Sequence, residues 1–209
     1  MTKTQIAILW GLAAAVLIVF VLLSWIISRP KQGDVPVMVP VPQSYRLPAV
    51  PFSARGFYPR AEQAARSWQS DAGLVSVSAS WPRAGAVRPL DGFSLPVDWT
   101  FQFTSPGTQR IYVVNVNEAA VSPIRESLAP YPLPTVSAAD WRLDSFEALN
   151  AWLNGGAGAW LAAHPLADVS IRLRQAPEGA LEWVIVGAAQ GDAAILVGRI
   201  HAGSGQVLE

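Results

Sequence analysis

The sequence predicts an α+β protein: a single N-terminal membrane-spanning helix, a proline-rich linker, then two α-β-β-β repeats with antiparallel sheets. Three observations predict it. The first is an uncharged apolar run from Ile6 to Ile27. The second is a valine–proline alternation that follows it. The third is the order helix, strand, strand, strand, read once before and once after a second proline cluster, "APYPLPTV".

Composition narrows the chemistry. Half of the 209 residues are hydrophobic and only 14% are charged, which marks a folding chain and not a disordered one. Fifteen basic residues balance fifteen acidic ones, so no basic face for nucleic acid is expected. The chain has no cysteine, which removes disulfides, thiol catalysis and thiolate metal sites.

Residues 1–30 read as the anchor. As a helix, Ile6–Ile27 spans about 33 Å, close to the ~30 Å hydrocarbon layer. Trp10 and Trp25 stand near its ends, where indoles favour the interface. The run is too long for the apolar part of a cleaved signal peptide, and "SWIISRPK" offers no small-residue cleavage site. Lys3 before the span and Arg29 with Lys31 after it nearly balance, and a short leading tail favours a cytoplasmic N-terminus with the remainder exported. The lipid bilayer is thus the first partner expected, through residues 6–27. Residues 31–55 form the linker. Proline fixes φ and drives its predecessor toward extended geometry. An extended stalk and an arm packed along the domain both fit this composition.

The first repeat is placed at 56–128. "YPRAEQAARSWQSD" reads as a helix opening at Pro59, with Ala61, Ala64, Ala65 and Trp68 at helical spacing. "LVSVSASW" alternates, with Val75, Val77, Ala79 and Trp81 on one face. The strands "DWTFQFT" and "RIYVVNV" follow, and Trp99, Phe101 and Phe103 share a face. The second repeat is placed at 129–209. Asp144 and Glu147 form a capping box for a helix with the stripe Phe146, Leu149 and Leu153. "DVSIRLR" turns Val169, Ile171 and Leu173 inward; "LEWVIVGA" does the same with Trp183 and Ile185; "AAILVGRIHA" is the last long strand.

Asp98-Trp99 and Glu182-Trp183 occupy matching places. The tryptophans are expected to be core anchors, Trp99 covered by Trp68 and Trp183 by Leu149 or Leu153. The acids are expected on the solvent face, where their amidation is silent. Trp152 lies off its helix's apolar stripe. With Trp160 it is a candidate interaction residue, or part of a second apolar face packed on the other half.

The middle strand opening on tryptophan, and the last strand ending in "GSGQVLE", resemble the PepSY-type, cystatin-like modules of exported bacterial proteins. Gly203, Ser204, Gly205, Gln206 and Val207 stand where those modules carry a small turn. The resemblance implies a non-catalytic module that binds, regulates or scaffolds.

No catalytic, cofactor or metal constellation is legible. His164 and His201 are isolated, "HAGSGQ" is a turn and not a nucleophile elbow, and "GGAGAW" follows a helix and not a strand. A carboxylate pair of Asp98 and Glu182 is the remaining enzymatic reading. The expected function is a membrane-anchored interaction module, an accessory subunit or assembly factor of an envelope or membrane complex with a protein partner and no cofactor. The alternative is a regulator of an exported peptidase or other hydrolase.

Overall fold

A computed structural model describes residues 53–82, 84, 93, 97–191 and 193–208. The expected membrane span, with Trp10 and Trp25, and the linker up to Phe52 lie outside the described residues. Among the described residues no helix is long and apolar enough to cross a membrane.

Helix α1 (Ala54–Trp68) starts on Ser53, whose hydroxyl accepts from Gly56 N–H. Ala54 and Arg55, assigned above to the linker, are its first residues, and Pro59 lies inside it and not at its start. Strands β1 (Gly73–Trp81), β2 (Trp99–Ser105), β3 (Arg110–Val116) and β4 (Val121–Leu128) follow. Helix α2 (Ser145–Trp152) carries the expected capping box of Asp144 and Glu147. A kinked segment (Leu153–Ala157), with Gly156 at a φ of 112°, joins it to the short helix α3 (Gly158–Ala163). Strands β5 (Asp168–Gln175), β6 (Leu181–Ala188), β7 (Ile195–His201) and β8 (Val207–Leu208) complete the chain.

The expected architecture of two α-β-β-β units, each with its own sheet, does not hold. All eight strands form one antiparallel sheet in the order β4-β3-β2-β1-β5-β6-β7-β8. Each half contributes four strands, and β1 pairs directly with β5, Val77 opposite Leu173 and Trp81 opposite Val169. An exposed strand edge is a template for pairing, and joining the two inner edges satisfies both. The registers of the halves correspond: Trp99 faces Val116 as Trp183 faces Ile200, and Phe101 faces Val114 as Ile185 faces Gly198.

The helices cover one face of the sheet and leave the other open. On the covered face Trp99 and Trp183 are fully buried and meet edge to face, with ring centroids 6.5 Å apart. Trp81 abuts Trp99 at 6.0 Å, and Trp141 abuts Trp183 at 5.9 Å. Leu143 C=O accepts from both the Trp141 and the Trp183 indole N–H. The two tryptophans therefore share one core. Trp68, expected over Trp99, is half-buried; it stacks on Tyr112 at 5.1 Å and donates to Glu126, toward the β4 edge. A bulge in β1 between Leu74 and Ser76 changes the expected face as well. Leu74 takes the inward place opposite Phe103, and Val75 is left half-buried in the irregularity.

Two glycines set how closely the second half's helices approach. A Cβ on Gly198 would stand 2.2 Å from Trp152 Cδ1, and one on Gly187 would stand 2.6 Å from Trp160 Cζ3. Each indole lies on the bare backbone of a strand. Gly198→Ala is expected to force Trp152 off its site and destabilise the fold by about 1–3 kcal/mol, the usual range for overpacking. Chemical denaturation of the purified chain checks it, and an unchanged midpoint would contradict this packing.

The first half is tied at the β2–β3 turn by Asp71. Its carboxylate accepts from Ser105 Oγ at 2.7 Å and from Gly107 N–H at 2.8 Å. These bonds, the Ser105 hydroxyl first, hold the Asp71 carboxyl below its ordinary value. A depressed folded-state value means stability that is present above the ordinary carboxylate value and lost as pH falls through the folded one. Asp71→Asn is expected to flatten that acid limb, measured as stability against pH below about 4. An unaltered limb would show that the bonds do not form in solution.

Candidate functional site

Of the twelve expected core positions, Val77, Trp99, Phe101, Phe103, Leu149, Leu153, Val169, Ile171, Trp183 and Ile185 are buried, and Trp68 and Val75 are half-buried. Trp152 is buried too, 4% exposed, as a second apolar face requires and a surface interaction residue does not; it packs on Gly198 of β7. Helix α2 is enclosed on more than its apolar stripe, because its first turn receives α1: Ser145 Oγ accepts from Ala54 N–H, and Ala148 is fully buried. Trp160 is half-buried and stacks on His164 at 4.5 Å. His164 caps α3, and its Nδ1 lies 2.8 Å from Trp160 C=O, so that nitrogen is the donor.

The catalytic candidates do not converge. Asp98 is exposed and accepts from Asn117 Nδ2. Three strand spacings, about 14 Å, separate β2 from β6, whereas glycosidic carboxylate pairs need roughly 5–9.5 Å. Glu182 is on the face opposite Trp183, as the alternation requires, yet it is not solvated. Its carboxylate accepts from Arg174 Nε at 2.9 Å and Arg199 Nε at 2.7 Å, and it is fully buried. Arginine stems cover apolar and polar surface while their heads stay wet, and that explains the burial on an otherwise open face. The hydrogen bond and charge of Glu182 hold the Arg199 guanidinium more firmly in its charged form.

His201 and Ser204 are neighbours in the β7–β8 turn, with Ser204 Oγ 3.1 Å from His201 Nδ1. That nitrogen also accepts from the backbone N–H groups of Gly203 and Ser204 at 3.2 and 3.0 Å. Its lone pair is engaged in holding the turn and is not free to take a serine proton. The turn borders a cleft of about 440 Å³ that Asp140, Arg142, Gln175 and Ser137 also line. Among the described residues no cluster of three or more His, Asp or Glu could hold a metal ion.

The outer edge of β7 is only partly paired. Ala189 N–H bonds Ala194 C=O, which sets the phase of the β6–β7 ladder. Leu196, Gly198 and Ile200 pair inward with β6; Ile195, Val197, Arg199 and His201 turn their N–H and C=O outward. Strand β8 covers only Arg199 and Ile200, and His201 N–H bonds Gln206 C=O. Ile195 and Val197 are left with outward backbone groups unpaired among the described residues, and their side chains are 66% and 56% exposed.

Behind this edge lies a cavity of about 110 Å³ lined by Ala151, Trp152, Gly155, Ala157, Leu196 and Leu208, among others. The kinked segment between α2 and α3 forms part of its wall through Gly155 and Ala157. Trp152 Nε1 is buried without an acceptor, as is Trp81 Nε1. An unmet buried donor costs roughly 1–3 kcal/mol. The sequence carried one signal of this edge: "ILVGRI" is apolar at both odd and even positions, so its open face presents the aliphatic side chains of Ile195 and Val197. At the opposite edge β4 is guarded by Pro123, Arg125 and Glu126.

No protein-family model matches the chain, and no curated protein matches it. Among solved structures, a presumptive lipoprotein from Clostridium difficile 630 is similar with a TM-score of 0.48 and 14% identity, over 80% of this chain and 93% of that one. A likeness of that strength assigns neither fold nor function to this chain.

Proposed function

We propose that this chain is a non-catalytic interaction module, anchored through residues 6–27 and exposed outside the cytoplasm. It serves as an accessory subunit or assembly factor of an envelope or membrane complex. The observation that supports it best is the β7 edge, where the backbone of Ile195 and Val197 is unpaired among the described residues and both side chains are exposed. An edge of this kind is a liability unless a partner covers it. The composition of residues 6–27 supports the anchoring, and the short tail before them supports the orientation.

Mild detergent extraction of the full-length chain should recover it from membranes with a stoichiometric protein partner. A phosphatase reporter fused after Glu209 should be active. Recovery of the chain alone, or activity only from a reporter that works in the cytoplasm, would overturn the reading. The partner's chemistry distinguishes an assembly role from restraint of an exported hydrolase, the role that the PepSY resemblance implies.

A further inference from the structure

We infer that the cleft at the β7–β8 turn is a site for a small free α-amino acid, with Arg142 meeting its carboxylate and Asp140 its ammonium. The cleft stands apart from the β7 edge, so this reading goes beyond the proposed function and does not depend on it.

The cleft holds about 440 Å³, within the ~300–1,000 Å³ of small-molecule sites. Three segments meet there: the connection before α2, the β5–β6 turn and the β7–β8 turn. Its carboxylate is that of Asp140 and its guanidinium that of Arg142. Among the described residues neither side chain has an ion-pair or hydrogen-bond partner, and the two do not pair with each other. Their backbone is nonetheless fixed. Trp141 between them is 2% exposed, Arg142 N–H donates to Ala202 C=O at 3.1 Å, and Arg142 C=O accepts from Arg55 Nη1 at 3.0 Å. Opposite charges held on a pinned segment, and left to water, are preorganised for a ligand that brings both complements. The uncharged polar groups serve the same two ends. Gln175 Nε2 donates to Gly179 C=O at 3.0 Å, which leaves its Oε1 as an acceptor for an ammonium. Ser137 Oγ accepts from Ala139 N–H, which leaves its O–H as a donor for a carboxylate. His201 Nδ1 is taken by the turn, so the neutral ring adds an Nε2–H donor. Val136, Ala180 and Leu181 make part of the wall apolar, which suits an aliphatic side chain. A protein segment offers such charges only on separate side chains, whereas an α-amino acid carries both on one carbon and enters a concave site whole. Strand β8 leaves the turn along β7 toward Arg199, away from the cleft.

Calorimetry on the full-length chain in detergent tests this with three probes. L-leucine carries both charges, N-acetyl-L-leucine only the carboxylate and L-leucinamide only the ammonium. L-leucine is expected to bind, and each of the other two to bind at least tenfold more weakly. Arg142→Gln is expected to weaken L-leucine at least tenfold and to leave L-leucinamide as it was. Asp140→Asn should weaken L-leucine as much and leave N-acetyl-L-leucine as it was. Both side chains are exposed, so both variants are expected to keep the wild-type denaturation midpoint; the comparison of the three probes on the wild-type chain decides without them. No heat from L-leucine at millimolar concentration, equal binding of the three probes, or either variant binding L-leucine as the wild-type chain does would overturn the inference and leave the proposed function standing.

Discussion

Trp99→Ala is expected to lose about 3–5 kcal/mol of folding stability, the range for removing a large aromatic from a packed core. The ring is fully buried between Trp81 and Trp183, and it stands where the two halves of the sheet meet. Neither neighbour can collapse freely into the space. Trp183 is tied to Leu143 C=O through its indole N–H, and Trp81 is held against Phe93 at 5.3 Å. The loss therefore reaches both halves at once. A small domain has about 5–15 kcal/mol in total, so the variant should unfold at a sharply lower denaturant concentration, in one transition. Two separated transitions would show that the halves fold independently and that the tryptophans do not bridge them.

Glu182→Ala is expected to cost about 2–3 kcal/mol, from the loss of two charge-assisted hydrogen bonds. The expectation that this acid is solvated is thereby replaced, because alternation tells the face of a side chain and not its depth. The order of related variants is a stricter check. Arg174→Met with Arg199→Met should be worse than Glu182→Ala. It strands a buried carboxylate, whereas removing Glu182 leaves two arginines, 48% and 33% exposed, that can turn to water. The triple variant Arg174→Met, Glu182→Leu, Arg199→Met should recover much of the loss, since an apolar cluster replaces the ionic one. If the double arginine variant were as stable as wild type, the carboxylate would have to be solvated.

The strands with period-two alternation were legible from the sequence, and so was the inward face of β5 and β6: Val169, Ile171, Leu173, Trp183 and Ile185 need only the pleat to be placed. What the period does not encode was missed. Strand β4 contains Pro123 and is exposed along most of its length, so it has no apolar alternation to announce it. The bulge that displaces Val75 depends on pairing with β2, a partner distant in sequence. The joining of β1 to β5 is likewise a choice between two edges, and no residue in either strand names its neighbour. Trp152 looked exposed on a helical projection because the surface that receives it, Gly198 of β7, comes from a strand later in the chain. Within the candidate site, the strand β7 and its turn were legible, but which of its residues pair with β8 is visible only in the sheet.

The absence of cysteine makes the central claim directly measurable. A single Val197→Cys variant of the full-length chain can be labelled with a membrane-impermeant maleimide in intact cells, with Ser122→Cys on the guarded β4 edge as the control. If β7 is the partner-covered edge of an exported module, Ser122→Cys labels rapidly. Val197→Cys then labels slowly in cells and rapidly once the purified chain is stripped of its partner. Equal labelling of the two positions in intact cells would contradict it.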